Sequence, residues 1–204
     1  DNFIEPRDIA IDSSERIYIT DCGNDRIIRI DDLTGTNWTS FGSSGGGKNK
    51  FNRPRGIYIN SDNKIYICDS NNNRIVRIDD MSGTNWITFG SLGTGTNQFD
   101  TPYDIVFDSL NRIFVIDTNN SRLVRFDDMT GTNWTTFGSL GSGTNQFDNS
   151  KGIAINSDGN IYIADTENHR IVRIDDISGA GWSIFGSFGS EINQFIKIRG
   201  IFVY

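Results

Sequence analysis

Histidine is the scarcest reactive residue in this chain of 204 residues: His169 stands alone. A zinc centre built on several imidazoles is therefore excluded, and so is a Ser or Cys triad unless His169 serves as its base. We expect it in a solvent-facing connection, as a repeat variant of residues such as Asn72, Asn120 and Asp25. Cysteine is nearly absent too. Cys22 and Cys68 occupy different places in the repeat described below, which argues against a disulfide and for two free thiols, one buried and one semi-exposed. No run approaches the roughly 18 consecutive apolar residues of a membrane helix, so no membrane insertion is expected. Nor is there an excess of basic residues: 19 Lys and Arg against 26 Asp and Glu give a net charge of −7, which disfavours nucleic acid as a partner. The segments GSGT and GTGT are followed by no helical pattern, and neither GxGxxG nor a Walker Lys is present. The chain starts at Asp1 without a methionine or a signal-like segment; an excised or processed product, extracellular or periplasmic, is the expectation.

What the chain has in abundance is itself. Phe3, Phe51, Phe99, Phe147 and Phe195 recur every 48 residues (51−3, 99−51, 147−99, 195−147). Asp21, Asp69, Asp117 and Asp165 keep that interval, as do Trp38, Trp86, Trp134 and Trp182. Such a period marks a solenoid, an array or a propeller. Within the second copy the apolar runs Ile57–Ile59, Ile65–Cys68, Ile75–Ile78 and Trp86–Phe89 are short, β-branched or aromatic, and bounded by turn residues, so each unit encodes four strands. The first three runs are apolar at both parities and the fourth alternates with Thr and Ser, the gradient of a blade from covered inner strand to half-solvated outer edge. The repeats run over about 3–50, 51–98, 99–146 and 147–194, and 197–204 carries one more inner strand, so 1–204 is a single propeller domain or a propeller fragment.

Each unit also holds a segment of the type DSNNNR, from Asp69 to Arg74. A carboxylate opening a tight turn can accept backbone N–H groups there, and an Arg five residues on can reach back to it. We therefore assign Asp21 with Arg26, Asp69 with Arg74, Asp117 with Arg122, and Asp165 with Arg170 to the scaffold, together with the four tryptophans. The run GIAINSDGNIYIADTENHRIVRI, from Gly152 to Ile174, resembles the NHL repeat, with its pattern G-I-A-V-D, then D-G-N-I-Y-V-A-D, then N-N-R-I. The resemblance recurs in four copies. It implies an all-β, β-propeller fold built from four-stranded NHL-type blades, usually six of them, and roles that range over protein binding, RNA binding and, in a related branch, metal-dependent lyase chemistry.

Paired carboxylates follow each third strand (Asp31-Asp32, Asp79-Asp80, Asp127-Asp128, Asp175-Asp176). Adjacent Asp side chains point apart, so a solvated acidic rim is expected there and not a calcium site. Positions that vary among near-identical repeats are better functional candidates. Just before each inner strand stand Arg7, Arg55, Tyr103, Lys151 and Arg199, with Asp8 and Asp104 beside two of them and Lys48, Lys50 and Arg53 in the first interblade link. They suggest a cationic mouth on the rim of the interblade links. The sequence thus reads as a non-catalytic binding or assembly module, without cofactor or metal, for a protein or small anionic ligand. The alternative is a metal-dependent hydrolase or lyase using Asp and Asn groups at the channel. Four blades with five inner strands leave one strand surplus, which points to a homo-oligomer or to the remainder of a larger propeller.

Overall fold

The computed structural model describes residues 2–203, and its regular structure is almost entirely strand. Each repeat folds into one four-stranded antiparallel sheet whose strands lie side by side in chain order. The first sheet comprises Pro6–Ile11, Ile17–Asp21, Arg26–Ile30 and Thr39–Phe41; the second comprises Pro54–Ile59, Ile65–Asp69, Arg74–Ile78 and Ile87–Phe89. The third comprises Pro102–Phe107, Ile113–Asp117, Arg122–Phe126 and Thr135–Phe137; the fourth comprises Gly152–Ile155, Ile161–Asp165, Arg170–Ile174 and Ser183–Phe185. The chain divides into two compact units, Asp1–Ile105 and Val106–Tyr204. In the first unit Ile27, Ile57, Ile67 and Val76 form a core with Phe41 and Phe51. In the second, Val115, Leu123, Phe126, Ile163 and Val172 are buried.

Local chemistry explains the blades. The second strand of the second sheet is buried along its whole length, and its outer strand is exposed except at Phe89, so the strand that alternates with Thr is the solvated edge. The tight connection between second and third strands closes through a residue in the left-handed region: Asp25, Asn73, Ser121 and His169 have φ of 53°, 54°, 50° and 54°. Asp and Asn tolerate that conformation because their short polar side chains bond locally. The links between blades fold back on themselves in short parallel bridges such as Leu92 with Phe99. The Phe at the end of the first three links is driven onto the core: Phe51, Phe99 and Phe147 are buried. Gly90 makes room for one of them, since it has φ of +103° and a Cβ there would lie 2.5 Å from the Phe99 ring.

Four expectations are corrected. Both cysteines are fully buried and unpaired. Cys22 takes the place that Ser70 and Thr118 hold in later repeats, where the side chain is enclosed and donates to a carbonyl at or just before the start of the next inner strand, Pro102 at 2.6 Å and Ser150 at 2.8 Å. The tryptophans precede the outer strands, which begin one residue later. Residues 197–203 form no strand. Arg199 and Gly200 do lie along the fourth inner strand, where a Cβ on Gly152 would collide with the Arg199 carbonyl oxygen. The inner strand of the first sheet differs from the covered strand expected: Ile9 and Ile11 are exposed.

Candidate functional site

The most regular constellation is the Asp–Arg–Trp set. Asp21, Asp69, Asp117 and Asp165 are fully buried and accept from the Nε of Arg26, Arg74, Arg122 and Arg170 at 2.8, 2.7, 2.7 and 2.8 Å. The same Oδ2 accepts the side-chain amides of Asn24, Asn72, Asn120 and Asn168. Oδ1 does not cap the turn that follows. It accepts the backbone N–H of Ile4, Asn52 or Asp148, each at 2.8 Å, from the chain entering the blade 17 residues earlier. The guanidinium continues the network: Arg74 donates to the carbonyls of Gly46 at 2.8 Å and Lys50 at 3.0 Å, and it lies over the Trp86 ring at 5.7 Å. Arg170 repeats this with Ser142, Gln146 and Trp182. Each set sews link, turn and third strand together with charge-assisted bonds.

The mouth residues are placed differently. In the first unit the pairing of the inner strands slips between Pro6 and Ile9 and between Pro54 and Ile57, and these bulges hold Arg7 and Arg55, since a bulge turns a side chain out of the ladder. The Arg55 guanidinium lies over the Tyr103 ring at 4.7 Å. Its Nε is buried and donates to no protein acceptor, while its carbonyl is held by the Thr20 hydroxyl at 2.6 Å. Burial works against the Arg7 charge, but the Tyr103 hydroxyl, Glu5 and Cys22 favour it and the net effect is upward. Glu5 binds both Arg7 and Arg53, so one carboxylate, which the sequence did not single out, spans two blades. Asp8 is not the partner of Arg7: it accepts the N–H of Ile9 and of Ile57, both at 2.8 Å, and burial pushes its carboxyl up despite those two bonds. Gly56 lets the strands come this close, because a Cβ there would lie 2.7 Å from the Asp104 Cα. Three of the five mouth residues, Arg7, Arg55 and Tyr103, thus meet in the first unit. In the second, the Lys151 N–H bonds the Ala164 carbonyl and Arg199 runs beside Gly152.

The NHL repeat model matches residues 3–30, 51–78 and 149–174. The chain carries NHL repeats. The third copy, outside those segments, builds the same sheet with the same buried Asp117–Arg122 pair. Solved structures extend the likeness to the β-propeller fold. A chain of the nidogen/laminin complex superposes with a TM-score of 0.74 at 18% identity, over 99% of this chain and 69% of that one. A catalytically inactive virginiamycin B lyase from Staphylococcus aureus, with quinupristin, gives 0.68 at 19% identity over 94% of this chain. A putative gluconolactonase gives 0.71 at 13% identity, over 98% of this chain and 68% of that one. The NHL chain spans 58% of the lyase chain's length. No curated protein matches it in sequence.

The remaining loops of the NHL blades are occupied by their own bonds. In each paired-Asp loop the second carboxylate accepts from the residue two positions on, as Asp32 does from the Thr34 N–H at 2.8 Å. In the first three loops the first carboxylate takes an Asn amide, as Asp79 does from Asn85 at 2.8 Å, and in the fourth Gly181 stands where that Asn would be. The Thr34 and Thr36 hydroxyls hold the Asp32 carboxyl down at about 2. The Lys64 ammonium, 2.8 Å away, and the Asn85 amide do the same for Asp79, also to about 2. Among the described residues no three His, Cys, Asp or Glu side chains are grouped to hold a metal. His169 aligns with Asp25, Asn73 and Ser121, not with Asn72 and Asn120, which match Asn24 and Asn168. Its Nδ1 accepts the Lys197 N–H at 3.4 Å, as Asn73 accepts that of Thr101 at 2.8 Å. In the second unit an open depression of about 310 Å³ lies between hairpin turns, lined by Asp108, Arg112, Phe114, Arg125, Asp158 and Asp175. Its charges are largely satisfied: Arg112 pairs with Asp108 at 2.6 Å and Asp175 with Arg173 at 2.7 Å.

A pH prediction follows from the loops. A carboxyl held below its unfolded value near ~3.9 contributes stability that is present above that pH and lost as pH falls through the folded value. For Asp79 the window is from about 4 to about 2. Urea midpoints measured across it should fall less steeply in Lys64→Met than in the parent, because the largest cause of the Asp79 shift is gone. Parallel curves would show that Lys64 does not hold this carboxyl down.

Proposed function

We propose that the chain is a non-catalytic binding module that takes a protein or small anionic ligand on the rim of the interblade links, with Arg55 at the centre of the contact. One observation carries this reading. Arg55 stands in a bulge, stacked on Tyr103, with a buried Nε that no protein acceptor satisfies. A guanidinium fixed in this way has lost its rotamer freedom before any ligand arrives and still offers planar donors to a carboxylate, phosphate or sulfate. Arg7 and Arg53 add positive charge beside it, tempered by Glu5. The chain's net charge of −7 makes this a local and selective attraction. The nidogen/laminin neighbour is a protein-binding example on the same fold; the lyase and gluconolactonase neighbours share the fold at identities too low to bring a reaction with them.

The test is titration with inorganic polyphosphate and with an acidic peptide at low salt. Binding should weaken by about tenfold or more in Arg55→Ala, the scale of one charge-assisted contact, and the residual binding should depend less on salt. Glu5→Gln, which frees Arg7 and Arg53, should bind more tightly. No binding by the parent at low salt, or an Arg55→Ala titration that overlays the parent's, removes the proposal.

A further inference from the structure

Within each unit the contact between successive blades is made by the same three rings. In the first unit Phe41 of the first outer strand, Phe51 of the link and Trp86 of the second blade meet, with centroids 6.1 Å apart for Phe41–Phe51, 6.1 Å for Phe41–Trp86 and 5.3 Å for Phe51–Trp86. In the second unit Phe137, Phe147 and Trp182 repeat it at 5.9, 6.2 and 5.6 Å. The preceding blade supplies its outer-strand Phe, and the following blade supplies Trp and its inner strand.

The first and fourth blades each present one half of this contact. On the first, Trp38 meets Phe3 at 5.2 Å and no other ring among the described residues. Phe3 is 39% exposed where Phe51 is 0%, and Ile9 is 56% exposed where Ile57 is 4%. On the fourth, Phe185 packs with Phe195 at 5.9 Å, without a tryptophan. Phe185 is 50% exposed where Phe41 is 9%. Contiguous bare apolar surface of this kind marks an interface. Here the repeat itself says what fits it, because the surface missing from each half is the one displayed by the other.

We propose that the fourth-blade face of one copy of this chain takes the first-blade face of a second copy, in the head-to-tail manner by which its own blades pack. The seat on the fourth inner strand is at present filled by the segment around Arg199 and Gly200. That segment has no strand pairing, and Ile196 and Phe202 within it are exposed. The incoming inner strand, Pro6–Ile11, is already a member of a four-stranded sheet. It brings the better-ordered strand and displaces residues 196–203. The contact is heterologous, so an open assembly retains one unused face of each kind, at its two ends, until it closes.

This polarity gives the test. Ile9→Lys blocks the first-blade face and Phe185→Lys the fourth-blade face; both positions are exposed, so each variant should fold, which a cooperative melt and near-ultraviolet circular dichroism check. In sedimentation velocity at micromolar concentration the parent should run as a multiple of 22.8 kDa. Each variant alone should run as a single chain, and a mixture of the two should form a one-to-one pair, because one intact face of each kind remains. Removing residues 196–203 should tighten the parent's association, since nothing then has to be displaced. A parent that stays monomeric across the range, single variants that assemble like the parent, a mixture that stays monomeric beside an associating parent, or a truncation that abolishes association would each overturn the proposal.

Discussion

Asp69→Ala should lose about 3–5 kcal/mol of folding stability, the cost of leaving one partner of a buried ion pair uncompensated. The carboxylate is fully enclosed, and three donors converge on it: the N–H of Asn52, the amide of Asn72 and the Nε of Arg74. Removing it orphans all three where water cannot enter freely, and the Arg74 head loses the anchor that aims it at the Gly46 and Lys50 carbonyls. Asp80→Ala is the contrast, because that carboxylate serves an exposed loop and its loss should cost less than about 1 kcal/mol. Urea denaturation of both variants decides between the readings. An Asp69→Ala curve that overlays that of Asp80→Ala would show the buried pair to be dispensable. Asp165→Ala should repeat the large loss in the second unit, where the same three donors come from Asp148, Asn168 and Arg170.

Much of that site could be read from spacing. A second strand ending in Asp and a third opening with Arg face each other across a tight turn, and the register pairs Asp69 with Arg74 directly. Local sequence distance fixes that meeting. The other half of the network was illegible, because the Oδ1 partner lies 17 residues upstream in the chain entering the blade, and which distant N–H a buried oxygen takes depends on how the link packs. The mouth shows the same divide. Arg7, Arg55 and Tyr103 could be picked out as departures from the repeat, yet the bulges that turn the arginines outward arise from a slip in pairing that apolar periodicity does not reveal. Glu5 escaped notice because its partner Arg53 is one whole repeat away. The exposed Ile9 is the plainest case: its sequence is that of a covered inner strand, and periodicity reports what a surface is built to meet, not whether the partner is present.

Phe51→Ala should cost about 3–5 kcal/mol, and Trp86→Ala slightly less, about 2–3 kcal/mol, because the Phe51 ring is wholly buried and Trp86 only half so. Phe51 touches both Phe41 and Trp86, so its loss opens a cavity between two blades as well as detaching the link. Phe3 and Trp38 occupy the same repeat positions on the first blade but lack the preceding Phe, and Phe3→Ala should cost less than about 2 kcal/mol in a dilute, unassociated sample. The informative quantity is how that last value changes with protein concentration. Association covers the Phe3 face, and binding that favours the folded state adds to stability by mass action. The cost of Phe3→Ala should therefore rise with concentration towards that of Phe51→Ala, while the cost of Phe51→Ala itself stays nearly constant. A Phe3→Ala penalty as large as Phe51→Ala at the lowest concentration would mean that the first-blade face is already covered within a single chain.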